Sequence, residues 1–241
     1  MEKKLNDISI SGSGKVAGGE YDNIRISGSG SMTGDVTANS VHISGSGRCE
    51  SIEAGVIKAS GSFHAGGRVM AGEIHVSGSA HIEGAVEAGE IRISGSFHAR
   101  DVISAKTVRV SGSMHAESGI EADSTYISGA AHVKGLLNAE TIEISLNGSS
   151  KINEIGCEQI CVRKSGSSSF NFFGIFKMNV GSKSLNANSI EATEAYLENT
   201  VCPVVRAKKA VIGEGCEIGR IEYEESLEIH PSAVVREQVK V

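Results

Sequence analysis

Five histidines recur at a fixed interval of 17 residues, His64, His81, His98, His115 and His132, each four positions after a serine that opens a Ser-Gly dipeptide. Imidazole is a metal ligand and the one side chain that ordinarily gains its proton just below neutral pH. If equivalent positions stack, successive rings lie ~4.8 Å apart, the spacing of hydrogen-bonded strands. Two neighbouring rings could then share an ion, although a row of histidines alone supplies mostly two ligands where zinc takes four. Protonating the whole row would set like charges side by side, costing somewhat under ~1 kcal/mol per pair even in water. The row therefore reads in three ways: a weak metal site, a pH-sensitive surface, or simply an exposed stacked face. Which of them applies depends on the elements that hold the rings.

Those elements are repeats. Ser-Gly recurs at Ser11, Ser27, Ser44, Ser60, Ser77, Ser94, Ser111 and Ser128, at intervals of 16 or 17 residues. Within the unit that starts at the marker Ser77, apolar or small residues fall in pairs two apart: Ala80 and Ile82, Val86 and Ala88, Ile91 and Ile93. A spacing of two is strand periodicity. The intervals between pairs hold small residues, as at Gly84, Gly89 and Gly95, where a turning chain can adopt positive φ without a Cβ clash. Three short strands and three corners make one closed coil, too short for βαβ crossovers and unable to bury a core alone. Coil stacked on coil solves this, each strand pairing in parallel with its equivalent one turn away. The expected fold is all-β, a single-stranded three-sided parallel β-helix of ~17 residues per coil.

Composition agrees. Ser and Gly fill 64 of 241 positions, yet Pro is only 2 and hydrophobic content 39%, which is not the balance of a chain that stays unfolded. With 4% aromatics and no Trp, the core should be thin. A net charge of −6 gives no general attraction for phosphate backbones, so nucleic acid is not expected as the main partner. No apolar run approaches the ~18 to 20 residues of a membrane span, and MEKKLNDISI lacks the features of a secretory signal. Five cysteines at irregular spacings, Cys49, Cys157, Cys161, Cys202 and Cys216, read as reduced core thiols of a cytoplasmic protein.

The pattern divides the chain into a main β-helix of about nine coils over 1–163, a Gly/Ser/Phe-rich insertion over 164–184, and a shorter β-helical segment of about three coils over 185–241. In the insertion, Phe170, Phe172, Phe173, Ile175 and Phe176 form a concentrated apolar segment that could meet a membrane interface or a partner, or fold back on a sheet face. Apolar alternation starts at Leu5, Ile8, Ile10 and Val16 and still runs at Val235, Val239 and Val241, with no 3.6-residue period of a capping helix at either extremity. A solenoid end without a cap exposes a row of unpaired strand edge. These seven residues are the expected interface for end-on association with further copies of the chain.

The Ser-Gly-punctuated coils from Ile8 to Val162 resemble bactofilins, the polymer-forming bacterial cytoskeletal proteins, and Ser189–Ile218 after the interruption looks like the longer variety of Gram-positive bacteria. The resemblance implies a right-handed three-sided β-helix that polymerises without nucleotide into non-polar filaments or sheets, as a scaffold for cell shape, envelope organisation or motility. It implies the chain itself as partner, with a paralogue or an inner-membrane or envelope protein as further contacts. A cytoplasmic location, peripheral at the inner face of the membrane, follows. The almost tail-free sequence departs from the typical member, whose core is flanked by disordered proline-rich tails. An alternative function is a non-polymeric binding module held at the membrane by the Phe segment. No catalytic residue, cofactor or enzyme activity is expected: the coils are near-minimal and leave no cleft-forming excursions before residue 164. Glu83, Glu87 and Glu90 read as solvating charges, and the hexad-like runs Ile212–Gly219 and Ile229–Val234 are too few for an acyltransferase of the left-handed kind.

Overall fold

The computed structural model describes residues 5–164 and 183–241, and these form an all-β solenoid of about 13 turns with equivalent positions about 17 residues apart. Every strand pairing among them is parallel, from Asn6–Ile10 on Ser13–Ile26 at one end to Glu217–Ile229 on Val234–Lys240 at the other. In the central coils a four-residue strand such as Ser79–Ile82 makes one face, and an eight-residue strand such as Val86–Ile93 makes the other two. The corner within the longer strand shows in its burial. Val86 and Ile91 both point inward although they are an odd number of residues apart, so the alternation changes phase between them.

Register converts the repeat into columns. Ile57, Ile74 and Ile91 stand in line on the inside, each fully buried. A second inner column runs Phe63, Ala80, Phe97, Met114, Ala131, large and small side chains together filling a thin interior. Where this column reaches Gly47 and Gly30, the side chains of Ile43 and Ile26 occupy the space: a Cβ on Gly30 would lie 2.7 Å from Ile26 Cδ1. Burial of such columns across many rungs is what stabilises coils that could not stand singly.

The corner glycines serve a purpose other than the expected one. Positive φ among the described residues is confined to Gly19, Gly34, Gly215 and Asn199, and none of Gly84, Gly89 or Gly95 uses it. Glycine is needed there for closeness. A Cβ on Gly84 would lie under 3.0 Å from the backbone of Gly67, one on Gly89 2.7 Å from the carbonyl oxygen of Gly72, and one on Gly95 closer still to that of Gly78. The Ser-Gly marker is therefore the point where successive turns stack backbone on backbone. It is pinned there by bonds such as Ser94 N–H to Val76 O at 2.8 Å and Ser96 N–H to Gly78 O at 2.8 Å.

The two sets of coils are continuous. Ser150–Lys164 pairs with Leu185–Leu197 in unbroken parallel register, Ser150 opposite Leu185 and Val162 opposite Leu197, so the coils before and after the Phe-rich segment share one sheet. Phe170, Phe172, Phe173, Ile175 and Phe176 lie outside the described residues.

Three buried inner positions among the described residues carry a hydroxyl, Thr125, Ser150 and Thr200; Ser150 Oγ accepts from Ala131 N–H and Thr200 Oγ1 donates to Glu198 O, which leaves Thr125 as the exception. Thr125 replaces an aliphatic in the column between Val108 and Ile142, is fully buried, and its hydroxyl has no hydrogen-bond partner. Leaving such a group unpaired costs about 1–3 kcal/mol. Thr125→Val is isosteric without the hydroxyl and should stabilise the chain by about 1 kcal/mol, raising Tm by about 2–4 °C for a protein of this size. Thermal denaturation followed by circular dichroism checks this, and an unchanged or lower Tm would contradict it.

Candidate functional site

The five histidines fall in register on the outer row of the first face, His64 opposite His81, then His98, His115 and His132. Their inward neighbours, such as Ala80 and Ile82, are buried, which turns the imidazoles outward. Ring centroids are 5.3, 4.6, 4.8 and 4.7 Å apart along the row. His64 and His81 stack nearly parallel at 5°, whereas the later pairs are tilted or edge-on. The row is continued by cations, Arg48 ahead of His64 and Lys151 after His132.

Sequence reading missed the neighbouring row. Two residues after successive histidines stand Glu83, Arg100, Glu117 and Lys134, acid and base alternating from rung to rung. Arg100 Nη1 donates to Glu83 Oε2 at 2.5 Å, and Glu83 Oε1 is 2.6 Å from His81 Nε2. This arginine, and then His81, hold the Glu83 carboxyl below its ordinary range. Glu117 contacts His98 Nε2 at 3.2 Å, Lys134 Nζ at 3.7 Å and His115 Nε2 at 4.0 Å. Burial pushes the Glu117 carboxyl up, but Lys134, His98 and Arg100 outweigh it and leave it below its usual range. His115 is shifted down, first by burial and then by the charge of His98, His132 and Lys134. The alternation was visible in the sequence once the repeats were aligned, as a carboxylate two residues after every second histidine.

Glu87 and Glu90 are surface charges that each pair with an arginine. Arg68 Nη2 donates to both Glu87 oxygens, at 2.6 and 2.7 Å, and Glu90 accepts from Arg92 Nε at 2.7 Å. Exposed pairs of this kind contribute little each, about 0–1 kcal/mol. On the third face an outer row runs Arg25, His42, Lys58, His75, Arg92, Arg109. Burial, then Lys58 and Arg25, lower the pKa of His42 from 6.5. A depressed histidine favours the fold while neutral, so its contribution is complete above the ordinary value and is lost as pH falls through the folded one. Acidifying from pH 7 to 5 should therefore lower Tm, and His42→Gln should remove part of that fall. A pH series of melts on both proteins reads this, and parallel curves would contradict it.

The cysteines are all free thiols. Cys49, Cys202 and Cys216 are core residues, and burial pushes Cys49 up to about 12 and Cys202 to about 11. Cys157 occupies the inner column of small residues, between Ala139 and Ala192, and burial likewise pushes its thiol up to about 12. Cys161 differs from the expectation of a core thiol. It stands on an outer row between Glu143 and Tyr196 and is half-buried, because the strand alternation places Ile160 and Val162 inside.

At the ends, burial drops sharply over one rung. Ile24 and Ile26 are 0% and 1% exposed, whereas Ile8 and Ile10, their partners in the first rung, are only half-buried, as is Leu5. At the other end Ala210 and Ile212 are sealed, while Leu227 and Ile229 beside them are half-buried, with Val235. Val234 and Val241 are exposed at 54% and 71%. Two expected interface residues sit elsewhere. Val16 is already buried within the single chain, and Val239 is in register with Glu222 on an outer row, Gln238 taking the inner position after Ile221. Among the described residues, Asn6–Ile10 and Val234–Lys240 each pair on one edge only.

Among the described residues no helix is long and apolar enough to cross a membrane. No family model and no solved structure matches the chain. The chain is similar to the uncharacterized protein YhbF of Bacillus subtilis (strain 168), 40% identical over 92 residues. That stretch is 38% of this chain and 35% of the relative, so the chain spans about a third of the curated protein it matches.

Proposed function

We propose that the chain is a self-assembling cytoskeletal scaffold whose copies join end to end, without nucleotide, into filaments. The observation that carries this is the step in burial at both extremities. Ile8 and Ile10 at one end, and Leu227, Ile229 and Val235 at the other, belong by register to inner columns yet are only half-buried. The same rungs carry strand edges paired on one side only among the described residues. A further copy would supply both what the apolar side chains and what the backbone groups need, with the spacing that the interior coils already use. The resemblance to bactofilins supports the same reading and extends it to cell shape, envelope organisation or motility, acting from the cytoplasm and the inner face of the membrane. A paralogue with matching end rungs would enter the same polymer.

Sedimentation velocity over a dilution series tests the proposal. The expected result is a species distribution that grows with protein concentration and is indifferent to added ATP or GTP. A single monomeric species at every concentration would overturn it.

A further inference from the structure

We propose that His98, His115 and Glu117 form a binding site for a divalent first-row transition metal ion, of which zinc is the probe used below. The three side chains offer one ligand atom each, all within 4.8 Å of one another. A tetrahedral ion with bonds of about 2.0–2.2 Å holds its ligand atoms about 3.3–3.5 Å apart. Glu117 Oε1 and His98 Nε2 are already 3.2 Å apart, and His115 Nε2 is 4.0 Å from the same oxygen. Closure thus asks only for side-chain rotation at positions that are a third exposed, 34% for His98, 31% for His115 and 33% for Glu117. Two imidazoles and one carboxylate suit zinc and its neighbours rather than magnesium or calcium, which take oxygen ligands. Three protein ligands also leave one coordination position for water.

A plain row of histidines would not single out one step, and Glu117 does. At the place that Glu117 holds, the rung of His64 has Gly66. The rung of His81 has Glu83, but that carboxylate is engaged by Arg100 at 2.5 Å and His81 at 2.6 Å. The rungs of His98 and His132 have cations there, Arg100 and Lys134. Only Glu117 stands beside two imidazoles with a looser competitor, Lys134 Nζ at 3.7 Å. His98 Nε2 is itself shut off from solvent and faces Glu117 Oε1 without a well-aligned hydrogen bond, so an ion between the two rungs could take its place between them. The ion would clamp adjacent turns across the first face.

The test is calorimetric titration of Zn²⁺ into the full chain after chelator treatment and dialysis. One saturable site per chain is expected. His98→Ala, His115→Ala and Glu117→Gln should each weaken binding at least tenfold, His64→Ala should leave it unchanged, and Lys134→Gln, which removes the competitor, should tighten it severalfold. All five positions are on outer rows, and circular dichroism verifies that each variant keeps its fold. Co²⁺ loaded in place of Zn²⁺ should give the intense visible absorption of a tetrahedral site, lost in Glu117→Gln. No binding, or binding spread along the row and equal in Glu117→Gln and the unaltered chain, would overturn the proposal.

Discussion

Gly95→Ala is expected to unfold the middle of the solenoid, although it adds a single methyl group. The Cβ would fall well inside 3.0 Å of the Gly78 carbonyl oxygen and of the Ser77 backbone, a contact with main chain that no rotamer relieves. Overpacking in ordinary cores costs about 1–3 kcal/mol because side chains can shift. Here two rungs must part, with loss of the bonds from Ser94 and Ser96 that join them, so the cost should exceed that range. The fold supplies its own control. Gly12 begins the same series, but a Cβ there meets nothing within 4 Å. Gly12→Ala should melt within about 1 °C of the unaltered chain, within the ±0.5 kcal/mol of neutral surface changes, while Gly95→Ala should give little soluble folded protein. Equal stability of the two variants, measured by circular dichroism and soluble yield, would show that stacking at the marker is not what the glycine is for.

Ile10→Lys and Ile229→Lys, made separately, are expected to block assembly and spare the fold. Each residue is half-buried at an end rung, so in the single chain a lysine can carry its charge to water along its flexible stem. In a joint the same charge is enclosed without a partner, at a cost of about 3–5 kcal/mol, which is at least a hundredfold in the concentration needed to assemble. Sedimentation at fixed concentration should show the large species gone and the melting curve little altered. Variants that leave dimers identify joints between like ends; variants that leave monomers identify joints between unlike ends. Undiminished assembly in both would remove the end rungs from the interface.

The fold was legible because a solenoid writes its geometry into a period. The Ser-Gly marker gave the length of a coil, pairs such as Ala80 and Ile82 gave the strand faces, and the same pairs turned the histidines outward. What escaped were features decided between rungs. The reason for the glycines was misjudged as positive φ, since contact with Gly78 one turn away cannot be seen in the local sequence around Gly95. That Cys161 stands outward is decided by Ile160 and Val162 taking the inner positions on either side of it, a phase that cysteine spacing does not show. Val239 was placed on an inner column although Gln238 takes that position, the alternation having shifted at the preceding corner. The role of Glu117 depends on two neighbouring turns, and only the aligned repeats, read two rows at a time, bring it next to His98 and His115. The continuity of the coils across 164–184 likewise depends on pairing, Ser150 to Leu185, that no local pattern announces.

Cryo-electron microscopy of the purified full chain without nucleotide tests end-on assembly most directly. About 13 turns at ~4.8 Å make a rod of about 60 Å. The expected image is a filament one solenoid wide, with the ~4.8 Å repeat running unbroken through joints spaced about 60 Å apart. Discrete single rods at all concentrations, or filaments held together through the faces of the solenoid instead of its end rungs, would contradict it.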